Sequence, residues 1–236
     1  MRARRVRALL MGGQACVFYG AAEFSRDTDL AILADAANLA RLRRALADLQ
    51  AEQIAVPPFE AKYLRRGHAI HFRCQCPEAL RMRVDVMSKM RGVDSFAGLW
   101  RRRMTIELAG KTVCDLMSLP DLVQAKKTQR DKDWPMIRRL VEANYFQHVE
   151  KPNSAQIKFW LLELRTPALL VDVARSHETL AKKLVTKRQL LTHAVSGNLS
   201  LVERALAAEE TAERQKDKIY WTPLFKELER LRHPKC

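Results

Sequence analysis

The hydrophobic positions in the first half of the chain alternate between strand-like and helix-like spacing. Four short apolar runs have the length and composition of strands, and they cover residues 6–11, 28–33, 68–73 and 82–87. A leucine repeat at three- and four-residue steps predicts a helix over residues 35–50. The segments 104–108 and 112–116 flank Gly110 and predict a hairpin. This alternation is typical of a sheet with flanking helices.

Beyond Ser118 the pattern becomes purely helical. Gly197 is the only glycine after this point, and Ser118 followed by Pro120 is typical of the start of a helix. Helical periodicity continues through residues 120–130, 133–147, 154–164, 167–184, 187–195 and 199–230. The sequence therefore predicts an α+β domain over residues 1–118, with a small mixed sheet and flanking helices, followed by an all-helical domain over residues 119–236.

The charge of the chain adds a class of partner to this picture. Lys and Arg number 42 against 27 Asp and Glu, which gives a formal net charge of +15. Such a charge attracts polyanions, including nucleic acid, nucleotides and anionic membranes. No apolar run approaches the roughly 18 residues of a membrane span, and the apolar stretch near the N-terminus is interrupted at Gly12. We therefore expect a cytoplasmic protein with no membrane association.

The cysteines and histidines do not favour a disulfide framework or a zinc site. The chain has 5 cysteines, an odd number, which indicates reduced thiols. One cluster in the sequence resembles a set of zinc ligands and consists of His68, His71, Cys74 and Cys76. However, neighbouring residues of a strand face opposite ways, and C-x-C is not the usual zinc spacing. We assign no metal to this cluster.

Three aspartates stand in a context that suggests a site for hard cations. Asp27 and Asp29 lie two residues apart at the start of a predicted strand, so both project from the same face. Two carboxylates held together in this way repel each other unless a cation lies between them. Asp85 lies in a second predicted strand, between two valines. If the two strands are neighbours, all three carboxylates can converge on Mg²⁺, which prefers oxygen ligands.

A glycine pair upstream of these aspartates suggests a phosphate turn. Gly12 and Gly13 directly follow the first apolar run. Glycines at the end of a strand permit a tight turn and a close approach of phosphate to the backbone. A short predicted helix over residues 14–19 follows, and its first N–H groups favour an anion. A phosphate turn combined with a metal site is the apparatus of phosphoryl or nucleotidyl transfer.

Together these elements resemble the nucleotidyltransferase superfamily that includes DNA polymerase β. That superfamily carries a hydrophobic-Gly-Gly/Ser turn, a spacer, an acidic-x-acidic pair and a later strand with a central acidic residue. Here the corresponding segments are Met11-Gly12-Gly13, 13 intervening residues, Asp27-Thr28-Asp29 and Val84-Asp85-Val86. The Gly-Gly form, with Gly20 and Arg26 nearby, is most similar to the AbiEii-type and minimal branches, which include many toxins. The basic segment with Lys126 and Arg130 resembles the basic helix that often follows the sheet in those branches.

The resemblance implies a transferase that uses Mg²⁺ or Mn²⁺ and a nucleoside triphosphate. Asp27, Asp29 and Asp85 are the expected metal ligands and catalytic residues, and Gly12 and Gly13 are expected to bind phosphate. Weaker candidates for triphosphate contacts are Arg26, Lys126 and Arg130. The positive charge suits an RNA acceptor, although a protein hydroxyl is equally compatible with the motifs. Two alternatives stay open: a toxin controlled by an antitoxin protein, and a catalytically silent module that binds nucleotide or RNA.

Each of these residues also has a purely structural interpretation. Asp27 and Asp29 could cap turns, and Asp85 could pair with Arg83 or Lys89 on an edge strand. The glycine pair could be a plain turn at the end of a strand. The basic segment could be a solvated helix face. These interpretations differ from the metal site in the contacts that each side chain makes.

Overall fold

Seven strands form one mixed sheet in the computed structural model, which describes residues 1–233 of the chain. In chain order they are β1 (Ala8–Met11), β2 (Asp27–Ile32), β3 (Glu52–Gln53), β4 (Ile70–Arg73), β5 (Arg83–Met87), β6 (Met104–Glu107) and β7 (Val113–Leu116). Their order across the sheet is β3-β4-β5-β2-β1-β7-β6. β2 and β5 run parallel, as do β1 and β7, and the other neighbours are antiparallel. The predicted mixed sheet is confirmed.

Helices flank the sheet and then make up the rest of the described chain. Those that interrupt the strands are α1 (Gly12–Phe18), α2 (Ala36–Asp48), α3 (Ala61–Arg66) and α4 (Phe96–Arg102). Those that follow β7 are α5 (Leu119–Ala125), α6 (Asp133–His148), α7 (Ser154–Glu163), α8 (Pro167–Ser176), α9 (Glu178–Leu184), α10 (Leu191–Ser196) and α11 (Leu199–Arg232). From Leu119 to Arg232 there is no strand, so the predicted helical C-terminal region is confirmed as far as the described residues extend. None of the helices within residues 1–233 is long and apolar enough to cross a membrane.

The core of the sheet lies on its central strands. The buried apolar residues of these strands are Leu9, Leu10, Leu30, Ala31, Ile32, Ile70, Phe72, Val84 and Val86. The first long helix, α2, buries the leucine stripe predicted for it, with Leu39, Leu42 and Leu46. Asp35 caps this helix, because its side chain accepts a hydrogen bond from the Asn38 backbone N–H at 2.6 Å. The buried leucines and the Asp35 cap therefore explain why a helix begins shortly after β2.

The chain divides into two compact units. The first contains residues 1–18 and 22–125 together with the end of the chain from Ile219 onward. The second contains residues 19–21 and 126–218. α11 therefore contributes its first part to the second unit and its last part to the first. Residues 234–236, including Cys236, lie outside the described residues.

Within the first unit, the last part of α11 packs against α3 and the residues that follow it. Leu224 is buried. The His68 side chain is only 1% exposed, and its Nε2 lies 2.7 Å from a carboxylate oxygen of Glu227. Glu227 also pairs with Arg66. These contacts make the end of α11 an integral part of the unit that contains the sheet.

The second unit has its own core and its own buried charge. Its fully buried large residues include Trp160, Leu161, Leu170, Leu191 and Val202. The buried Arg188 guanidinium donates hydrogen bonds to the backbone carbonyls of Leu161 and Leu164, each at 3.0 Å. It also pairs with Glu209 at 3.0 Å. Because its donors are satisfied in this way, Arg188 can be buried within the helical unit.

Candidate functional site

Asp29 and Asp85 lie side by side on neighbouring central strands. The parallel register of β2 and β5 pairs Asp29 directly with Asp85. Asp29 is also paired with Met11 of β1, and Asp85 is also paired with His71 of β4, so the four residues lie side by side across the sheet. Because residues paired across strands project from the same face of a sheet, both carboxylates share a face with His71. The structure thus brings together two of the three aspartates that the sequence pattern indicates.

Asp27 lies on the same polar face, closer to the start of β2 than Asp29. It begins β2 two residues before Asp29, so the two side chains project from the same face. Its partner on β5 is Arg83, which in turn pairs with Arg73 of β4. The opposite face of these strands is apolar and buried, with Leu30, Val84 and Val86. A shift of register by one residue would bury the carboxylates and expose these apolar residues, so the apolar face fixes the alignment.

Both glycines at the start of α1, directly after β1, are required by close approaches of side chains. Gly12 has a φ of +65°, and a Cβ atom there would lie only 1.8 Å from the Asp29 Oδ2 atom. A Cβ atom on Gly13 would lie 2.4 Å from the Ser25 Oγ atom. Ser25 is itself held by a hydrogen bond from its hydroxyl to the Asp27 carbonyl, at 3.2 Å. The predicted glycine turn therefore lies directly against the predicted acidic pair.

Asp85 lies beside two basic side chains in a mostly buried position. Its side chain is 13% exposed, and its Oδ1 atom lies 2.8 Å from both Arg83 Nε and His71 Nδ1. Burial alone raises the pKa of a carboxyl group. Interactions with His71 and Arg83 outweigh this effect, so the pKa of Asp85 lies below its usual value. Asp85 is therefore a carboxylate at neutral pH.

Arg83 is the cation within this group of carboxylates. Its hydrogen bond to Asp85 is the main cause of a raised guanidinium pKa, and the negative charges of Asp27 and Asp29 act in the same direction. The pairing of Asp85 with Arg83 matches one of the structural interpretations of that aspartate. That interpretation placed Asp85 on an edge strand, however, whereas β5 lies between β4 and β2.

The three aspartates are suited to a hard cation, although they are not arranged as a finished site. Within residues 1–233, no three His, Cys, Asp or Glu side chains are positioned as ligands of a single ion. Carboxylates repel one another without a cation between them, and Asp85 directs Oδ1 to Arg83 and His71. Asp29 and Asp85 are paired across adjacent strands, which lie about 4.8 Å apart. Their oxygen atoms are the ligands that Mg²⁺ prefers.

The basic candidates lie in different parts of the chain. Arg26 is exposed and directly precedes Asp27. Lys126 and Arg130 belong to the second unit, where both pair with the buried Asp133, at 3.2 Å and 2.8 Å. Lys126 is therefore a partner of a buried carboxylate and not part of a solvated face. Contacts of Arg26, Lys126 and Arg130 with nucleotide remain predictions.

The residues of the cluster that resembles zinc ligands make separate contacts. His68 binds Glu227, whereas His71 binds Asp85. Cys74 and Cys76 are both buried. Burial raises the pKa of the Cys74 thiol, and the nearby Cys76 acts in the same direction. The contacts of His71 therefore associate it with Asp85 and not with His68.

Sequence reasoning missed His71 and gave Arg83 only a structural role. Arg83 was detectable, because it lies two residues before Asp85 and strand alternation places both on one face. His71 was not, because its contact depends on the antiparallel pairing of β4 with β5. Pairing between strands is a non-local property that alternation alone does not reveal.

Comparison with known proteins gives no independent assignment. No protein-family model matches the chain, and no curated protein matches it in sequence. The arrangement of this site is therefore the basis for assigning a function.

Proposed function

We propose that this protein is a metal-dependent nucleotidyltransferase of the superfamily that includes DNA polymerase β. The observation that supports this most is the pairing of Asp29 with Asp85 on one sheet face, with Gly12 packed against the Asp29 carboxylate. In the proposed reaction, an acceptor hydroxyl attacks the α-phosphorus of a nucleoside triphosphate. The bond from this phosphorus to the bridging oxygen breaks, pyrophosphate leaves, and the hydroxyl proton is released.

The residues of the site divide the work among them. Asp27 and Asp29 would hold the cation that accompanies the triphosphate, and Asp85 would complete the site for a second cation and help activate the acceptor hydroxyl. Bound Mg²⁺ or Mn²⁺ neutralises phosphate charge and favours deprotonation of the hydroxyl. Gly12 and Gly13 bring the backbone of the turn against Asp29 and Ser25. The first N–H groups of α1 lack intrahelical partners and would be available to the phosphates.

We propose RNA as the acceptor, because the charge of the chain favours it. The formal net charge is +15, and contacts to phosphate dominate the non-specific affinity of proteins for nucleic acid. Arg26 is the first candidate for a triphosphate contact, because it is exposed and adjacent to Asp27. Lys126 and Arg130 rank below it, since both are already paired with Asp133.

A labelling assay tests the proposal. The purified protein is incubated with each α-labelled nucleoside triphosphate, total RNA and a protein pool, with and without Mg²⁺. We expect label to enter one acceptor class in the presence of Mg²⁺ and not in the presence of a chelator. Asp29→Asn and Asp85→Asn should abolish the transfer, because an amide does not offset the charge of a cation.

Asp48→Asn is the matched control in this assay. Asp48 is an exposed aspartate that pairs with Arg4. This variant should transfer label at the wild-type rate. If the wild type transfers no nucleotide but binds it in a Mg²⁺-dependent manner, the silent-module alternative replaces the proposed activity. If Asp29→Asn transfers as well as the wild type, the assignment of the site is wrong.

A further inference from the structure

Four arginines form one basic surface within the first unit, away from the three aspartates. We call this surface the arginine patch, and its members are Arg2, Arg5, Arg7 and Arg103. The first three precede β1 and are exposed, whereas Arg103 directly follows α4 and is one third exposed. The proposed reaction, as described above, uses none of them.

Contacts with two other side chains join these arginines into a continuous surface. Asp115 of β7 pairs with Arg2 and with Arg103, each at 3.2 Å. The Trp100 ring lies between two guanidinium groups, with Arg103 at 4.3 Å and Arg7 at 6.0 Å from its centroid. An aromatic face attracts a guanidinium group and limits its motion. The patch is therefore an ordered group of side chains.

The patch carries more positive charge than its own contacts offset. Asp115 is the carboxylate that these contacts supply, so four arginines face one aspartate. Arg4 is not a member, because its Nε and Nη2 atoms both donate to Asp48, at 2.7 Å. Like charges held close together repel, and exposed ion pairs contribute little to stability. Stability alone does not account for this clustering.

The backbone that carries the patch is held by a buried side chain. The Asn38 side chain is fully buried, accepts a hydrogen bond from the Arg7 N–H at 2.7 Å and donates one to the Arg7 carbonyl at 3.0 Å. Val6 is buried as well. Arg5 has a φ of +51°, in the left-handed region that residues with a side chain rarely adopt. Strained residues of this kind are concentrated at functional sites, and a fixed backbone lowers the entropic cost of binding.

The chemistry of arginine indicates the ligand. A guanidinium group is always charged, and its planar donors match the oxygens of a phosphate group better than an ammonium group does. β1 connects the patch to the proposed site, because Arg7 directly precedes this strand and Met11 is paired with Asp29. Four residues of a strand span about 13 Å. A nucleic-acid strand in a duplex advances about 3.4 Å per phosphate, so about four nucleotides cover this distance.

We propose that the arginine patch binds the phosphate backbone of the RNA acceptor, about four nucleotides from the one that reacts. This inference rests on the proposed function for the choice of RNA. It goes beyond that function by assigning the acceptor a binding surface outside the metal site. Because the contacts are to phosphates, binding is independent of base sequence.

The salt dependence of RNA binding tests the patch without any transfer reaction. Binding of fluorescently labelled oligouridine is measured by anisotropy at several salt concentrations, without Mg²⁺ or nucleotide. The double variant Arg5→Gln/Arg7→Gln removes two charges. Each phosphate contact with a single strand contributes about 0.7 to the slope of log Kd against log salt concentration. The slope should therefore fall by about 1.4, with weaker binding at low salt.

Two comparisons isolate the position and the charge. Arg139→Gln/Arg204→Gln removes two exposed arginines of the second unit and is the matched control. This control should leave the slope at the wild-type value. Arg5→Lys/Arg7→Lys keeps both charges and should keep most of the slope. If the two glutamine variants lower the slope equally, only the total charge matters and the inference fails.

Kinetics of transfer give a second measurement. In Arg5→Gln/Arg7→Gln, the KM for the RNA acceptor should rise in proportion to the loss of RNA affinity. The KM for nucleoside triphosphate and the kcat at saturating RNA should stay near their wild-type values. An unchanged KM for RNA would overturn the inference.

The outcomes distinguish this inference from the proposed function. If the wild type binds oligouridine through the patch but transfers no nucleotide, the proposed function fails and the RNA-binding surface stands. If it transfers nucleotide and Arg5→Gln/Arg7→Gln binds oligouridine as the wild type does, the inference alone fails. Binding to vesicles that contain phosphatidylserine, without binding to oligouridine, also overturns it. Should the double variant not fold, Arg5→Gln alone decides, with an expected fall in slope of about 0.7.

Discussion

Replacing Gly12 with alanine tests the close packing of the glycine turn against Asp29. The φ of +65° at Gly12 lies in the left-handed region, and the added Cβ atom would lie 1.8 Å from Oδ2 and 2.6 Å from Cβ of Asp29. The backbone conformation costs about 1–2 kcal/mol for a residue with a side chain. Overpacking adds about 1–3 kcal/mol. We therefore expect Gly12→Ala to lower the free energy of unfolding by about 2–5 kcal/mol.

Two other glycines separate the backbone cost from the clash. Gly20 and Gly110 have φ values of +74° and +76°, and an added Cβ atom at either meets nothing within 4 Å. Alanine at these positions should cost only the backbone term, about 1–2 kcal/mol. Urea denaturation of the three variants gives the comparison. The excess loss in Gly12→Ala measures the contact with Asp29.

A double substitution checks the assignment to Asp29. Asp29→Gly removes the carboxylate and the Cβ atom that an alanine at position 12 would meet. In that background, Gly12→Ala should cost no more than alanine at Gly110. The reasoning is refuted if Gly12→Ala and Gly110→Ala cost the same in the wild-type background. Transfer activity should fall in Gly12→Ala as well, because Asp29 is displaced.

Three further predictions concern charge. Asp85→Asn should lower the free energy of unfolding by about 1–3 kcal/mol, because Arg83 loses a carboxylate partner. A smaller loss in urea denaturation would contradict this pairing. Because the folded-state pKa of Asp85 is lowered, its stabilisation is complete above its unfolded-state pKa and is lost as pH falls through the folded-state value. The difference in stability between wild type and Asp85→Asn should therefore narrow on acidification from about pH 7 to pH 2, and a constant difference would refute this. Asp133→Asn should destabilise the second unit by about 3–5 kcal/mol, because the 3%-exposed side chain of Asp133 binds both Lys126 and Arg130. Unchanged thermal melting of this variant would refute the prediction.

The sequence predicts the central strands and their polar face well. The order of apolar runs identifies β1, β2, β4 and β5 to within two residues at each end. The spacing of Asp27 and Asp29 predicts their common face, because strand alternation is a local rule. The pairing of Asp29 with Asp85 was conditional on the two strands being neighbours, and the register now supplies that condition.

Two of the predicted helices differ from the structure for reasons that can be identified. Residues 167–184 are predicted as one helix, but the chain breaks at His177, which has a φ of −127° and a ψ of 45°. No glycine marks the break, and the apolar repeat resumes after it with helical spacing, so periodicity cannot detect it. The helix predicted over 120–130 ends at Ala125. There Asp133 binds Thr128 and Arg130, and this contact holds the chain in a turn.

The return of the chain to its first unit has a consequence for synthesis. The sheet is made from residues before Ala125, whereas the segment from Ile219, with the Glu227 partner of His68, is translated after the second unit. A nascent chain that has passed Ala125 still lacks the partner of a buried histidine and the apolar contact of Leu224. The unit with the sheet can therefore reach its final packing only after the last part of α11 has emerged from the ribosome. The whole second unit is therefore synthesised before the first unit can complete its packing.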